Sequence, residues 1–215
     1  MKHGTQSTFL GTLFLAAITF LLGCESTGMQ RSEKATTTMQ TVADGISQVA
    51  AQLDATGASL EALASTGQSD VGKAFQAYSA NVARMDSLEK QFTKHADEMS
   101  SRGKDYFAEW KKQGDAYANP QIRELSEQRR AALGEVYGKI AEASIGVKDA
   151  FQAYMSDLKE IRTYLSNDLT AKGLDAIAPS KDKVVRDGEN LREAVTRIQN
   201  AVDRARSEMA QEGTN

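Results

Sequence analysis

A single cysteine, two prolines, two histidines and one tryptophan in 215 residues remove many readings at once. One cysteine rules out an intramolecular disulfide, so an oxidising compartment would give this chain no covalent brace. Two prolines against sixteen glycines leave long helices uninterrupted. The only histidine after the first few residues, His95, has Asp97 and Glu98 nearby but no second histidine or thiol. Residues two apart on a helix do not share a face, so this pair suits a solvated side chain better than a zinc ligand. No calcium loop, Gly-x-Ser-x-Gly elbow or phosphate-binding glycine loop with Lys-Ser/Thr appears. Ser180-x-x-Lys183 opens a helix, and the acid pairs Asp97/Glu98 and Asp203/Glu208 read as surface charge. The expectation is therefore no catalytic residue, no metal, no cofactor and no enzyme. A formal net charge of −3 argues against long-range attraction to nucleic acid.

What is present begins at the N-terminus. Phe9 to Leu22 is nearly free of polar groups. It falls short of the roughly 20 apolar residues that span a bilayer, but it suits a secretory leader. Leu21-Leu22-Gly23-Cys24 closes the run and matches the bacterial lipoprotein processing signal. Residues 1–23 are expected to be a signal peptide, with Cys24 as the lipid attachment site and membrane contact through that covalent lipid. Removing them takes Lys2 and no acid, which moves the formal charge from −3 to −4. Glu25 in place of an inner-membrane retention aspartate favours the outer membrane, facing the periplasm. Residues 24–30 read as a flexible lipid-proximal tether, and 211–215 as a frayed C-terminus.

Between them, residues 31–210 are expected to form one helical bundle domain. Met39, Val42, Ile46, Val49, Leu53, Thr56, Leu60 and Leu63 recur in steps of three and four, which makes one seam along a helix. Ser65 to Ser69 read as a turn, with Ser69 or Asp70 as the next cap. A second seam runs through Val71, Phe75, Tyr78, Val82, Met85, Glu89, Phe92, Ala96, Met99, Gly103, Tyr106 and Trp110. Glu89 and Gly103 interrupt it, Gly103 permitting close packing or a bend. Asn119-Pro120 caps and opens a third helix. Its seam runs from Ile122 and Leu125 through Arg129, Ala132 or Leu133, Val136, Ile140, Ala143 and Val147, then to Leu165 after an extra step that predicts a stutter. Ala171-Lys172-Gly173 reads as its end. A fourth helix carries Val184, Gly188, Leu191, Val195, Ile198, Val202, Ala205 and Met209.

Short connections predict an all-α fold: an elongated antiparallel four-helix bundle or coiled coil with a projecting central helical hairpin around Pro120. Val71–Tyr78 and Val147–Tyr154 match at six of eight positions, 76 residues apart, and suggest a duplicated hairpin. Gly134-x-x-x-Gly138 is a weak signal for close helix approach. Near the hairpin bend, Tyr106, Phe107, Trp110, Lys111, Lys112, Tyr117, Arg129 and Arg130 make a candidate contact patch for an envelope protein, an anionic envelope polymer or lipid headgroups. The oligomeric state is left open.

The lipoprotein start, the helical body and the Phe-Gln-Ala-Tyr segments resemble a bacterial protein family catalogued as domain of unknown function 2959. The resemblance covers most of Met29 to Met209 and is clearest in Val71–Tyr78, Val147–Tyr154 and Ala35–Val49. It implies an exported helical lipoprotein and carries no catalytic position. The leading expectation is a non-enzymatic envelope lipoprotein acting as a helical scaffold, spacer or interaction module, with the Trp110–Arg130 hairpin at the end far from the membrane. The alternative is a periplasmic carrier or chaperone-like binder of hydrophobic or unfolded cargo, using a groove where Glu89, Gly103 or Gly188 interrupts a seam.

Overall fold

The computed structural model describes residues 28–65 and 70–210. Cys24, the leader, Glu25 to Thr27 of the tether, turn residues 66–69, the Met209 side chain and residues 211–215 lie outside the described residues. The helices are α1 (Gly28–Ser65), α2 (Val71–Asp115), α3 (Pro120–Asn167), α4 (Ala171–Ala176) and α5 (Ala178–Ala210). Among the described residues there is no strand and no helix long and apolar enough to cross a membrane. α1 begins at Gly28, so Gly28 to Gln30, expected in the tether, are helical.

Each long helix packs on two neighbours: α1 on α2 and α5, and α3 on α2 and α5. The ring closes around the apolar seams. All eight α1 seam residues are buried, and a single core runs on through Tyr78, Val82, Met85, Ile140, Val147, Leu158, Leu191 and Ile198. Burying each large apolar side chain is worth roughly 1.5–3 kcal/mol. An exposed ion pair is worth roughly 0–1 kcal/mol, so the seam supplies stability and the charges align it. Lys148 meets Asp97 at 2.5 Å, Lys183 meets Asp157 at 2.5 Å and Lys181 meets Glu61 at 2.9 Å. Between α1 and α2, a polar layer does this work. Gln52 Nε2 donates to Asn81 Oδ1 at 2.9 Å and to Thr56 Oγ1 at 3.1 Å, while Thr56 donates to the Gln52 carbonyl.

The structure moves several seam positions. In α2 the buried residue is Leu88, and Glu89 stands half-exposed beside it. In α3 the buried seam is Leu133, Tyr137, Ile140, Ser144, Val147, Phe151, Tyr154, Leu158, Ile161 and Leu165, with Met155 buried beside Tyr154. Those steps alternate four and three throughout, so the expected stutter is absent. Ala132, Ile122 and Leu125 are exposed, and Val136 and Ala143 are half-buried at the seam's flank. Phe75 is also only half-buried. Ala171-Lys172-Gly173 opens α4 instead of ending α3; the Thr170 hydroxyl caps it by accepting from Gly173 N at 3.1 Å. Asp70 occupies the α2 cap position without a side-chain cap bond. Cβ atoms at Gly134 and Gly138 would meet nothing within 4 Å, so this pair brings no helices together.

The repeat does not mark a duplicated hairpin. Val71 starts α2 directly after a turn, whereas Val147 lies in the middle of α3, where no boundary corresponds. The two tyrosines also differ. Tyr78 donates to the Leu158 carbonyl at 2.8 Å inside the core, while the Tyr154 ring lies against Gly188 at the α1–α5 edge.

At the bend, Asn119 Oδ1 accepts from Gln121 N at 2.9 Å and from Ile122 N at 3.4 Å, with Pro120 opening α3 as its sequence predicts. α2 and α3 then run antiparallel, with Phe92 and Phe151 ring centroids 6.0 Å apart. The two outer helices end near this bend. Arg31 Nη2 donates to Gln113 Oε1 at 2.9 Å, and Arg129 Nη2 donates to the Glu208 carbonyl at 3.0 Å. The start of α1 and the Pro120 bend therefore share one end of the bundle. This reverses the expected polarity: the hairpin lies at the end where α1 starts, not at the opposite one. The remote end carries the end of α1, the start of α2 and α4, roughly 60–70 Å away at 1.5 Å per helical residue.

Candidate functional site

Two surfaces carry candidate function, and the first is the bend. Tyr106 packs edge-on to Phe107 at 5.0 Å and tilted to Trp110 at 5.6 Å, and Phe107 meets Tyr137 at 5.7 Å. Trp110 Nε1 donates to Ser126 Oγ at 2.9 Å. These three patch aromatics are half-buried and close the bundle between α2 and α3. Tyr137 enters because Gly103 has no side chain: a Cβ there would fall 2.0 Å from Tyr137 Cε1. Gly103 thus serves close packing. The Tyr137 hydroxyl donates to the Met99 carbonyl at 2.7 Å, and burial pushes its pKa up to about 12.

The patch cations divide between two sides. Arg129 reaches the end of α5 through Glu208, whereas Arg130 faces α2 near Gly114 and Asp115. Lys111 donates to Asp115 at 2.6 Å and holds its carboxyl below the usual range; Arg130 and Arg123 act in the same direction. Lys112 stands 4.0 Å from Glu109. The structure brings Lys111 and Arg130 around one acid without forming a continuous cationic face.

Tyr117 belongs to the expected patch, whereas the pattern along the chain missed Ile122 and Leu125. Tyr117 is 38% exposed, Ile122 47% and Leu125 60%, the last two an i,i+3 pair on one side of α3. The seam rule had assigned Ile122 and Leu125 to the core. Extending the α3 pattern backward from Leu133 in alternating steps of three and four gives Arg130, Ser126 and Arg123, which leaves both Ile122 and Leu125 off the seam.

The second surface is a cleft of about 300 Å³ between α1 and α5. Leu53, Leu60 and Val184 line it, Tyr154 forms its floor, and Gly57 and Gly188 leave it open. Arg192–Asp54 and Lys181–Glu61 ion pairs bridge its rim. Burial raises the Tyr154 pKa well above the ordinary phenol value, with Arg192 opposing the shift. His95 stands half-buried in a smaller α1–α2 groove beside Asp44, Gln48 and Phe92. Among the described residues, no three His, Cys, Asp or Glu side chains are grouped to hold a metal.

Comparison with family models gives a match over residues 20–211 to the family described as "Protein of unknown function (DUF2959)". The chain belongs to the DUF2959 family. No curated protein and no solved structure matches it. For this DUF2959 chain, the bend and the α1–α5 cleft are thus read from their own chemistry.

Proposed function

We propose that this DUF2959 protein is a non-enzymatic, lipid-anchored helical spacer and interaction module of the bacterial envelope. Its site is the outer membrane, facing the periplasm, and its membrane attachment is the lipid on Cys24. The observation carrying this reading is the bundle's polarity. A closed rod starts four residues after Cys24 and extends roughly 60–70 Å from that end, at 1.5 Å per residue. Such a body suits holding its α4 end away from a membrane, toward an envelope protein or polymer. The acids weighed for catalysis support a structural role: Asp97 pairs with Lys148, and Asp203 accepts from Gln199 at 3.0 Å.

In-cell photo-crosslinking from Lys172, at the α4 end, tests the spacer reading, with Cys24→Ala as the localisation control. The expected result is a discrete adduct from Lys172 that disappears when Cys24→Ala releases the protein from the membrane fraction. Unchanged membrane retention in Cys24→Ala would refute the anchor. Absence of any Lys172 adduct in the anchored protein would refute the spacer role.

The α1–α5 cleft favours a second reading, a carrier of small apolar cargo. Its volume lies at the lower end of the roughly 300–1,000 Å³ typical of ligand pockets. Gly188→Leu should fill it and abolish binding of a fluorescent fatty acid. Equal binding by wild type and variant would remove this alternative.

A further inference from the structure

We infer that the Pro120 bend is a membrane-docking tip whose Tyr117, Ile122 and Leu125 side chains enter the headgroup layer of the bilayer holding the Cys24 lipid. This rests on the lipid-anchor reading above and adds a second, noncovalent membrane contact to it. Position supplies the first argument. The Arg31–Gln113 hydrogen bond sets the start of α1 level with the last turns of α2. From that level α1 continues three residues to Gly28, about 4.5 Å, while α2 continues two residues to Asp115, about 3 Å, before residues 116–119 carry the chain round into α3. The bend and Gly28 thus lie at about the same level along the axis. Four residue steps from Cys24 to Gly28 span at most about 14 Å. The tether is long enough for the bend to touch the surface, and too short to hold the bend far from it.

Surface chemistry supplies the second argument. Three of the six exposed large apolar side chains among the described residues, Tyr117, Ile122 and Leu125, lie at this bend, and Tyr117 has the amphipathic character favoured at a bilayer interface. The backbone is prepared for such a site. Asn119 caps the α3 amides, Tyr117 N donates to the Gly114 carbonyl at 3.2 Å, and Arg123 Nη2 donates to the Tyr117 carbonyl at 2.7 Å. These bonds satisfy backbone groups that would otherwise lose water on entry. Charge is secondary. Residues 109–130 hold Lys111, Lys112, Arg123, Arg129 and Arg130 against Glu109, Asp115, Glu124 and Glu127, nearly a balance. Docking is therefore apolar and largely insensitive to salt. Weak insertion suffices, because the lipid keeps the tip at high effective concentration.

The test uses the full lipidated protein in vesicles of phosphatidylethanolamine and phosphatidylglycerol, with a nitroxide quencher near the headgroup. Leu125→Cys or, at the opposite end, Lys172→Cys carries an environment-sensitive fluorophore. Acylation removes Cys24 from labelling, so the introduced thiol is the sole target. The Leu125 label should lose most of its emission and stay quenched in high salt, while the Lys172 label keeps its own. Mass spectrometry of Cys24 and vesicle flotation read the anchor separately. An unquenched Leu125 label on a protein that is acylated and floats overturns tip docking alone. A chain that is neither acylated nor floats overturns the anchor and, with it, the docking. Disulfide-linked dimers of unlabelled Leu125→Cys, with no quenching of the labelled form, would assign this face to a second copy and overturn the proposal.

Discussion

Gly103→Ala isolates one packing decision in this bundle. Alanine in a helix interior gains about 1 kcal/mol over glycine from propensity, so α2 by itself favours the change. The added Cβ, however, would lie 2.0 Å from Tyr137 Cε1 and 2.6 Å from Cζ. Carbon atoms pack at roughly 3.5–4.0 Å, so the ring must retreat by more than an ångström. Two contacts oppose that movement: the Tyr137 hydroxyl is tied to the Met99 carbonyl at 2.7 Å, and its ring lies edge-on to Phe107. Overpacking costs roughly 1–3 kcal/mol, and a displaced buried hydrogen bond roughly 0.5–1.5 kcal/mol. Against the propensity gain, we expect a net loss of roughly 1–3 kcal/mol, read as a lower midpoint in urea unfolding followed by circular dichroism. Gly138→Ala is the control, because its Cβ meets nothing within 4 Å. It should raise stability by roughly 0.4–1 kcal/mol. In a Tyr137→Ala background, Gly103→Ala should become stabilising too. If Gly103→Ala and Gly138→Ala raise the midpoint alike, or Tyr137 makes no difference, the close-packing account is wrong.

Burial favours the neutral phenols of Tyr78, Tyr154 and Tyr137, the last pushed up to about 12. The unfolded chain ionises its phenols near 10. Above that pH the unfolded state binds fewer protons, so stability is retained below about pH 10 and lost progressively toward pH 12. Tyr78→Phe and Tyr137→Phe together should make this decline shallower in urea midpoints measured across that range, and an unchanged slope would count against it. Asn119→Ala removes the acceptor for Gln121 N and Ile122 N and should cost about 1 kcal/mol, measured by the same unfolding titration. A double-mutant cycle on Asp86 and Lys159, whose side chains are 22% and 42% exposed, should return a coupling below about 1 kcal/mol.

Much of the bundle was legible because helical period and capping chemistry are local. The α1 seam holds at every position from Met39 to Leu63, and Asn119-Pro120 opens α3 as its residue types require. Errors arose where two neighbouring residues both satisfy a step of three or four. Glu89 and Leu88 both fit the α2 step, and Val136 and Tyr137 both fit that of α3; a seam along one helix carries no knowledge of the helix facing it. The gap opposite Tyr137 is Gly103, which follows it only in space. The candidate site was half-read for the same reason. Its aromatics and charges stood out by type, while Ile122 and Leu125 were assigned to the core by hydrophobicity.

The sequence by itself determined four long amphipathic helices, their bend at Pro120 and the apolar run that Cys24 closes, since periodicity, capping and run length are properties of a chain. Tertiary structure decided which faces are covered and how far each helix reaches along its neighbour. Alternation of antiparallel helices already places the start of α1 at the bend's end. Only the register set by Arg31 with Gln113, and Gln52 with Asn81, shows that α1 arrives there while Tyr117, Ile122 and Leu125 stay uncovered. Hydrophobic residues are buried by partners, and at this end the partners stop first.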